Sequence, residues 1–184
     1  MKLKISILAI SSLLVGSLVA LPAEAQDSSV TISGSVKAGT CVVDPVEVDL
    51  GEIGADEFPQ IPANPGSSSV RVDGSVEFRD CAGVAAAKLT FGEAADNDSG
   101  NGMNNHFRNK AGDSAPFTNL WLMAGNCSSG PTETIRPGQP RADNVVINGQ
   151  TASFDFCVRP YKLGGGLVTS GGISTQFVLG VEYF

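Results

Sequence analysis

The sequence predicts an all-β sandwich or barrel built from many short strands. Three observations carry that reading. Residues 176–184 alternate, with Phe177, Leu179, Val181 and Tyr183 on one face. Residues 29–37 alternate as well: Val30, Ile32, Gly34 and Val36 share one face, while Ser29, Thr31, Ser33, Ser35 and Lys37 share the other. Between them, short apolar runs recur among turn residues, and no window sustains a capped period near 3.6, so helix content should be low.

The first element is a leader for export. Lys2 and Lys4 precede an apolar run over residues 5–21, and Ala23-Glu24-Ala25 offers a small-x-small cleavage site before Gln26. A membrane anchor would need about 20 apolar residues, and this run is interrupted by Ser11, Ser12, Gly16 and Ser17. No later segment is long or apolar enough to span a bilayer as a helix. Residues 26–184 then suit one domain with a real core. Loss of Lys2, Lys4 and Glu24 moves the net charge from −7 to −8, which argues against nucleic acid or anionic membrane as partner.

Further strands are expected over residues 46–50, 70–78, 87–91, 117–123, 145–147 and 152–158, with a Pro-rich connection at 59–65. Asn148-Gly149 is the strongest hairpin signal in the chain. Gly164-Gly-Gly166 and Gly171-Gly172 punctuate the approach to the last strand.

Cys41, Cys81, Cys127 and Cys157 make an even count in an exported chain, which reads as two disulfides. Three pairings are possible. Cys41–Cys81 with Cys127–Cys157 is favoured because each cysteine borders a strand pattern and the sequential pairing needs no crossing. No metal site is expected: there is no C-x-x-C, and His106 is the only histidine.

Catalysis finds little to work with. His106 lies among Asn104, Asn105 and Arg108 and is expected to be exposed, and neither a Gly-x-Ser-x-Gly elbow nor a His-Glu-x-x-His helix occurs. The chain is therefore read as a non-enzyme without a cofactor. Asp96-x-Asp98-x-Gly100 fails as a calcium loop at its glycine position and at the closing glutamate, where Phe107 stands, so residues 95–114 are expected to be a solvated loop. Trp121 is expected to be core rather than a sugar-stacking platform.

Asp27-Ser-Ser-Val-Thr-Ile-Ser-Gly-Ser-Val-Lys-Ala-Gly-Thr-Cys41 resembles the N-terminal extension of type 1 fimbrial subunits of the bacterial chaperone–usher pathway, the minor tip-associated ones especially. Cys81 follows Val76-Glu-Phe78 where the family's second cysteine is expected. Tyr183 matches the family's penultimate tyrosine, and Gly171 its glycine fourteen residues from the end. A second cysteine pair, Cys127 and Cys157, departs from the commonest pattern and suggests a locally stapled loop over residues 120–135.

The resemblance implies an incomplete immunoglobulin-like sandwich lacking its last strand. It divides the chain into a signal peptide (1–25), a donor-strand extension (26–38) and a pilin domain (39–184). Val30, Ile32, Gly34 and Val36 would be the donor residues. Gly171, Phe177, Leu179, Val181, Tyr183 and Phe184 would form the edge that receives a strand. The implied partners are a periplasmic chaperone, an outer-membrane usher and neighbouring fimbrial subunits, with export through the periplasm to a cell-surface fimbria that supports adhesion. The alternative is a secreted lectin-like adhesin domain that binds host carbohydrate.

Overall fold

The computed structural model of the chain describes residues 39–97 and 105–184. The expected leader, the strand bearing Val30, Ile32, Gly34 and Val36, and the residues Asp98 and Gly100 lie outside the described residues. Among these residues, ten strands form two sheets: β1 (Thr40–Val43), β2 (Gly66–Ser67), β3 (Val72–Ala82), β4 (Ala86–Phe91), β5 (Phe107–Arg108), β6 (Thr118–Ala124), β7 (Glu133–Ile135), β8 (Val145–Val146), β9 (Ala152–Lys162) and β10 (Leu179–Tyr183). The larger sheet runs β1-β3-β9-β6-β5, with β2 added to β9 and β7 to β6. The smaller runs β10-β4-β8. Only two short 3-10 turns, Ala55–Glu57 and Ala94–Asp96, interrupt the β structure of the described residues. No helix among them is long and apolar enough to cross a membrane.

Alternation builds the core as expected. Val76 and Phe78 of β3, Leu120 and Leu122 of β6, and Phe156 and Val158 of β9 point inward from one sheet, and Ala87, Leu89 and Phe91 of β4 from the other. Phe91 stands at the seam, its ring 5.8 Å from both Phe154 and Phe156 and 6.1 Å from Phe177. Burying each such side chain contributes roughly 1.5–3 kcal/mol. Both disulfides form in the sequential pairing, Cys41–Cys81 and Cys127–Cys157.

Several local expectations are corrected. The Asn148-Gly149 turn exists, with Gly149 at φ 81° and Asn148 bridged to Thr151. It does not join a hairpin: β8 pairs with β4 in the small sheet, while β9 lies in the large one. The stretch 120–135 is not a loop throughout. It is a β6–β7 hairpin with Leu122 opposite Ile135, and the Cys127 staple ties its connecting segment to the middle of β9. The run 46–50 forms no ladder among the described residues, although Val48 and Leu50 pack against the core. Lys162, 0% exposed, donates from Nζ to the carbonyls of Ile61, Pro62 and Asn64 at 3.1, 3.0 and 2.8 Å, and so anchors the Pro-rich connection.

Candidate functional site

An open groove of about 860 Å³ runs along the edge of the sandwich between two extended segments. One wall is the stretch 43–51, presenting Val43, Val46, Val48 and Leu50. The other is the stretch 173–181, presenting Ile173, Phe177, Leu179 and Val181. The floor is core itself: Val76, Phe91, Leu120, Leu122, Phe156 and Val158. Burial alternates along the second wall, odd residues from 173 to 183 half-buried and even ones from 174 to 184 exposed. These inward side chains stop at half-burial because none of the described residues lies over them.

Backbone pairing has the same one-sidedness. The Phe184 N–H donates to the Ala86 carbonyl at 2.9 Å, and the Gly92 N–H to the Val178 carbonyl at 2.8 Å. In an antiparallel ladder the bonded residues alternate, so Leu179, Val181 and Tyr183 turn their amides and carbonyls away from β4, toward the groove. The facing segment 46–50 is likewise outside any ladder among the described residues. Among the described residues, two unpaired edges therefore face each other across exposed core. A sheet short of one strand has this form, and an extended segment laid between the edges would complete it.

The walls are held by polar contacts that the sequence did not announce. The Asn109 carboxamide accepts from the Ser174 N–H at 3.0 Å and donates to the Gly172 carbonyl at 2.8 Å. Lys110 Nζ donates to the Gln176 carbonyl at 2.9 Å and pairs with Asp96. Asp96 is buried rather than solvated, a correction to the loop reading, and accepts from the Glu93 N–H at 2.8 Å. The hydrogen bond from Lys110 holds its carboxyl below the usual range, against burial, which raises it. At one end of the groove Tyr183 Oη donates to the Cys41 carbonyl at 3.2 Å. At the other, Leu50 and Ile173 are shared with a second cavity of about 740 Å³ that also touches Phe58 and Val168.

Phe177, Leu179 and Val181 thus line the groove, and Tyr183 closes its end. Phe184 takes part through its backbone, its residue half exposed. Gly171 lies at the second cavity, with φ 152°, where a Cβ would come within 2.5 Å of the Ala115 nitrogen, so only glycine fits. His106 is a further correction: it is buried, stacked on Tyr161 at 4.1 Å and edge-on to Trp121 at 5.8 Å. Trp121, expected in the core, is half-buried on the outward face of the large sheet. Asp73, Cys127 and Cys157 cluster, but both sulfurs are in the disulfide and offer no thiolate to a metal.

No protein-family profile matches the chain. The two-sheet architecture is that of pilus subunits with an incomplete immunoglobulin-like fold. Over 86% of this chain and 96% of the other, it is similar to a subunit in the structure of a chaperone–usher pilus, with TM-score 0.57 and 17% identity. The P pilus rod subunit PapA matches at TM-score 0.57 and 16% identity, covering 78% of this chain and 99% of PapA. The CupB6 tip adhesin of Pseudomonas aeruginosa matches at TM-score 0.54 and 16% identity, over 79% of this chain and 38% of that protein. In sequence the chain is 27% identical over 191 aligned positions to the S-fimbrial adhesin protein SfaS of Escherichia coli, spanning 100% of this chain and 99% of that one. The resemblance to fimbrial subunits of the chaperone–usher pathway holds, and these relatives are pilus and adhesin proteins, not enzymes.

Proposed function

We propose that this chain is a structural subunit of a cell-surface fimbria that polymerises by donor-strand exchange and supports adhesion. The observation that carries the reading is the pair of unpaired edges facing each other over exposed core. In this mechanism the stretch 26–38 of a neighbouring subunit enters the groove. Val30, Ile32 and Val36 descend onto the apolar floor, and Gly34 meets it where backbones come close. From residue 30 to residue 36 a strand covers about 20 Å, and each buried apolar side chain contributes roughly 1.5–3 kcal/mol. Backbone hydrogen bonds to Leu179, Val181 and Tyr183 supply the rest. Before assembly the groove needs a temporary occupant, because exposed edges over apolar floor aggregate. A periplasmic chaperone strand fills that role, and an outer-membrane usher is where the exchange takes place.

Ile32→Asp tests the scheme. An unpaired charge on the apolar floor costs several kcal/mol, so chaperone-bound monomers should accumulate normally while fibres are short or absent by electron microscopy. Ser33→Asp, on the wet face, should leave fibres intact. Unfolding of the chaperone-bound Ile32→Asp subunit would place that strand in its own domain and overturn the mechanism.

A further inference from the structure

Exposed large apolar side chains gather at the two ends of the sandwich, Ile61, Phe117 and Leu167 at one and Val146 and Phe184 at the other. The first end is where β9 finishes and β6 begins, with Lys162 opposite Thr118. There the Leu163 N–H donates to the Phe117 carbonyl at 2.7 Å and the Gly165 N–H to the Pro62 carbonyl at 3.1 Å. The connections 59–65 and 163–167 therefore meet beside Phe117. That residue has φ 59°, a left-handed conformation costly for a bulky side chain. Its ring lies against Gly166, where a Cβ would overlap it, yet the residue stays exposed. Ile61 beside it is 59% exposed. At the second end, Val146 lies opposite Ala86, and the Phe184 N–H donates to the Ala86 carbonyl. Ala87 is buried, so Phe184, Ala86 and Val146 form one row on the outward face of the small sheet. Gly39 lies at this same end, its N–H donating to the Gly83 carbonyl at 3.2 Å.

Chain length and charge bring these ends together. Only residues 37 and 38 separate Val36 from Gly39, a reach of at most about 11 Å. A neighbour whose Val36 sits in the groove must therefore hold its own Gly39 end within that distance. Charge selects the end of the groove at which this happens. Lys37 is the only basic residue in the stretch 26–38, and no basic residue occurs from 38 to 70. Glu52 lines the second cavity, beyond Leu50 and Ile173, and Asp56 and Glu57 follow in the 3-10 turn. All three are exposed, and none is in an ion pair among the described residues. At the opposite end of the groove Asp44 is already paired with Arg79. Lys37 thus fits the end at the second cavity, which also touches Phe58, Ala115 and Val168, next to the connections that carry Ile61, Phe117 and Leu167. A strand laid that way runs antiparallel to β10, the more stable ladder.

We propose that the Phe184–Ala86–Val146 row of one subunit docks on Ile61, Phe117 and Leu167 of the subunit whose groove it fills, so that an apolar contact between copies of this chain stiffens each joint. The inference rests on the donor-strand reading and adds a second contact to it. A two-residue link alone would leave the joint free to bend. Burial of both apolar ends removes that freedom, and Lys37 beside Glu52, Asp56 and Glu57 fixes the approach. The two surfaces differ, so the contact is heterologous and repeats without closing, as a filament requires.

The test uses fibres of the full chain, with persistence length measured in electron micrographs. Ile61→Ser with Leu167→Ser should leave fibre number unchanged and cut the persistence length at least twofold, and Val146→Ser should do the same. All three together should cut it no further than the stronger of the two, because both sets remove one contact. Wild-type stiffness in both sets, or losses that add, overturns the contact. Wild-type fibres give a second readout that needs no variant. Carbodiimide, which joins an amine directly to a touching carboxylate, should link Lys37 of one subunit to Glu52, Asp56 or Glu57 of the next, as read by mass spectrometry of the digest. A link from Lys37 to Asp44 instead would reverse the strand, carry the row away from Ile61 and Phe117, and overturn the proposal. Fibres that survive Ile32→Asp would be a different failure, that of the donor-strand reading, and would take the contact with it. Loss of fibres in Ile32→Asp with unaltered bending in the surface variants overturns the contact alone.

Discussion

Strands β9 and β10 carry the same alternating pattern and end in different states. β9 has β3 beside residues 152–158 and β6 beside residues 156–162, and Phe156 and Val158, where the two overlap, are 4% and 6% exposed. Among the described residues β10 has β4 on one side only, and its inward Leu179 and Val181 remain half-buried. The difference teaches that a hydrophobic pattern chooses a face but not a neighbour. A period of two is satisfied by any core on one side, whereas complete burial needs a ladder on both edges.

Removing the ring at the seam should have the largest effect. Phe91→Ala takes away a side chain shared by both sheets and the groove floor, and should cost roughly 3–5 kcal/mol in unfolding experiments. Its penalty should persist when a peptide spanning residues 26–38 fills the groove. Loss of the second disulfide distinguishes the closed side from the open one. Cys127→Ser with Cys157→Ser frees a closure of 30 residues and should cost about 3–4 kcal/mol on chain-entropy grounds. Peptide affinity should be retained, because this staple lies on the outward face of β9.

Asn109→Ala attacks the open wall instead. It leaves the Ser174 N–H without its partner and the Gly172 carbonyl with only the Ala115 N–H, and should cost about 1–3 kcal/mol. Here the peptide should bind more weakly, and hydrogen exchange should quicken at residues 173–177 before it quickens in β9. The Lys110–Asp96 pair gives a pH handle on the same wall. Because the Asp96 pKa is depressed in the folded state, its contribution is complete above the ordinary carboxylate value of about 4 and is lost as pH falls through the lower folded value. The stability gap between wild type and Asp96→Asn should therefore be constant from pH 7 to pH 5 and shrink in more acidic solution. The smallest effect is expected at Val178, 75% exposed on the outward side of the open wall. Val178→Thr should change stability by less than about 0.5 kcal/mol and leave peptide affinity unaltered.

Legibility followed the range of the interactions. Strand alternation in β3, β4, β6 and β9 was readable because it is a local consequence of the pleat. The alternation that puts Phe177, Leu179 and Val181 on the groove side was readable for the same reason. Asn109 and Lys110 were not, since a polar residue in a loop looks the same whether it meets water or the backbone of residues 172–176. Asn148-Gly149 correctly announced a turn, but turn chemistry does not say whether the strands it joins stay together. Ala85 and Ala86 in the small sheet captured the residues before the turn, and β3 captured those after it.

By itself, the sequence determined an all-β domain with two sequential disulfides, a terminal strand with one apolar face and an alternating apolar pattern over residues 29–37. Those are properties of spacing along the chain. The tertiary structure alone decided that residues 46–50 and β10 face each other unpaired among the described residues, that His106 and Asp96 are buried, and that Trp121 meets Arg159 on an outward face. Each of these depends on which distant backbone or side chain arrives at a given place, and residues far apart in the chain meet only when the sheets close on their shared core.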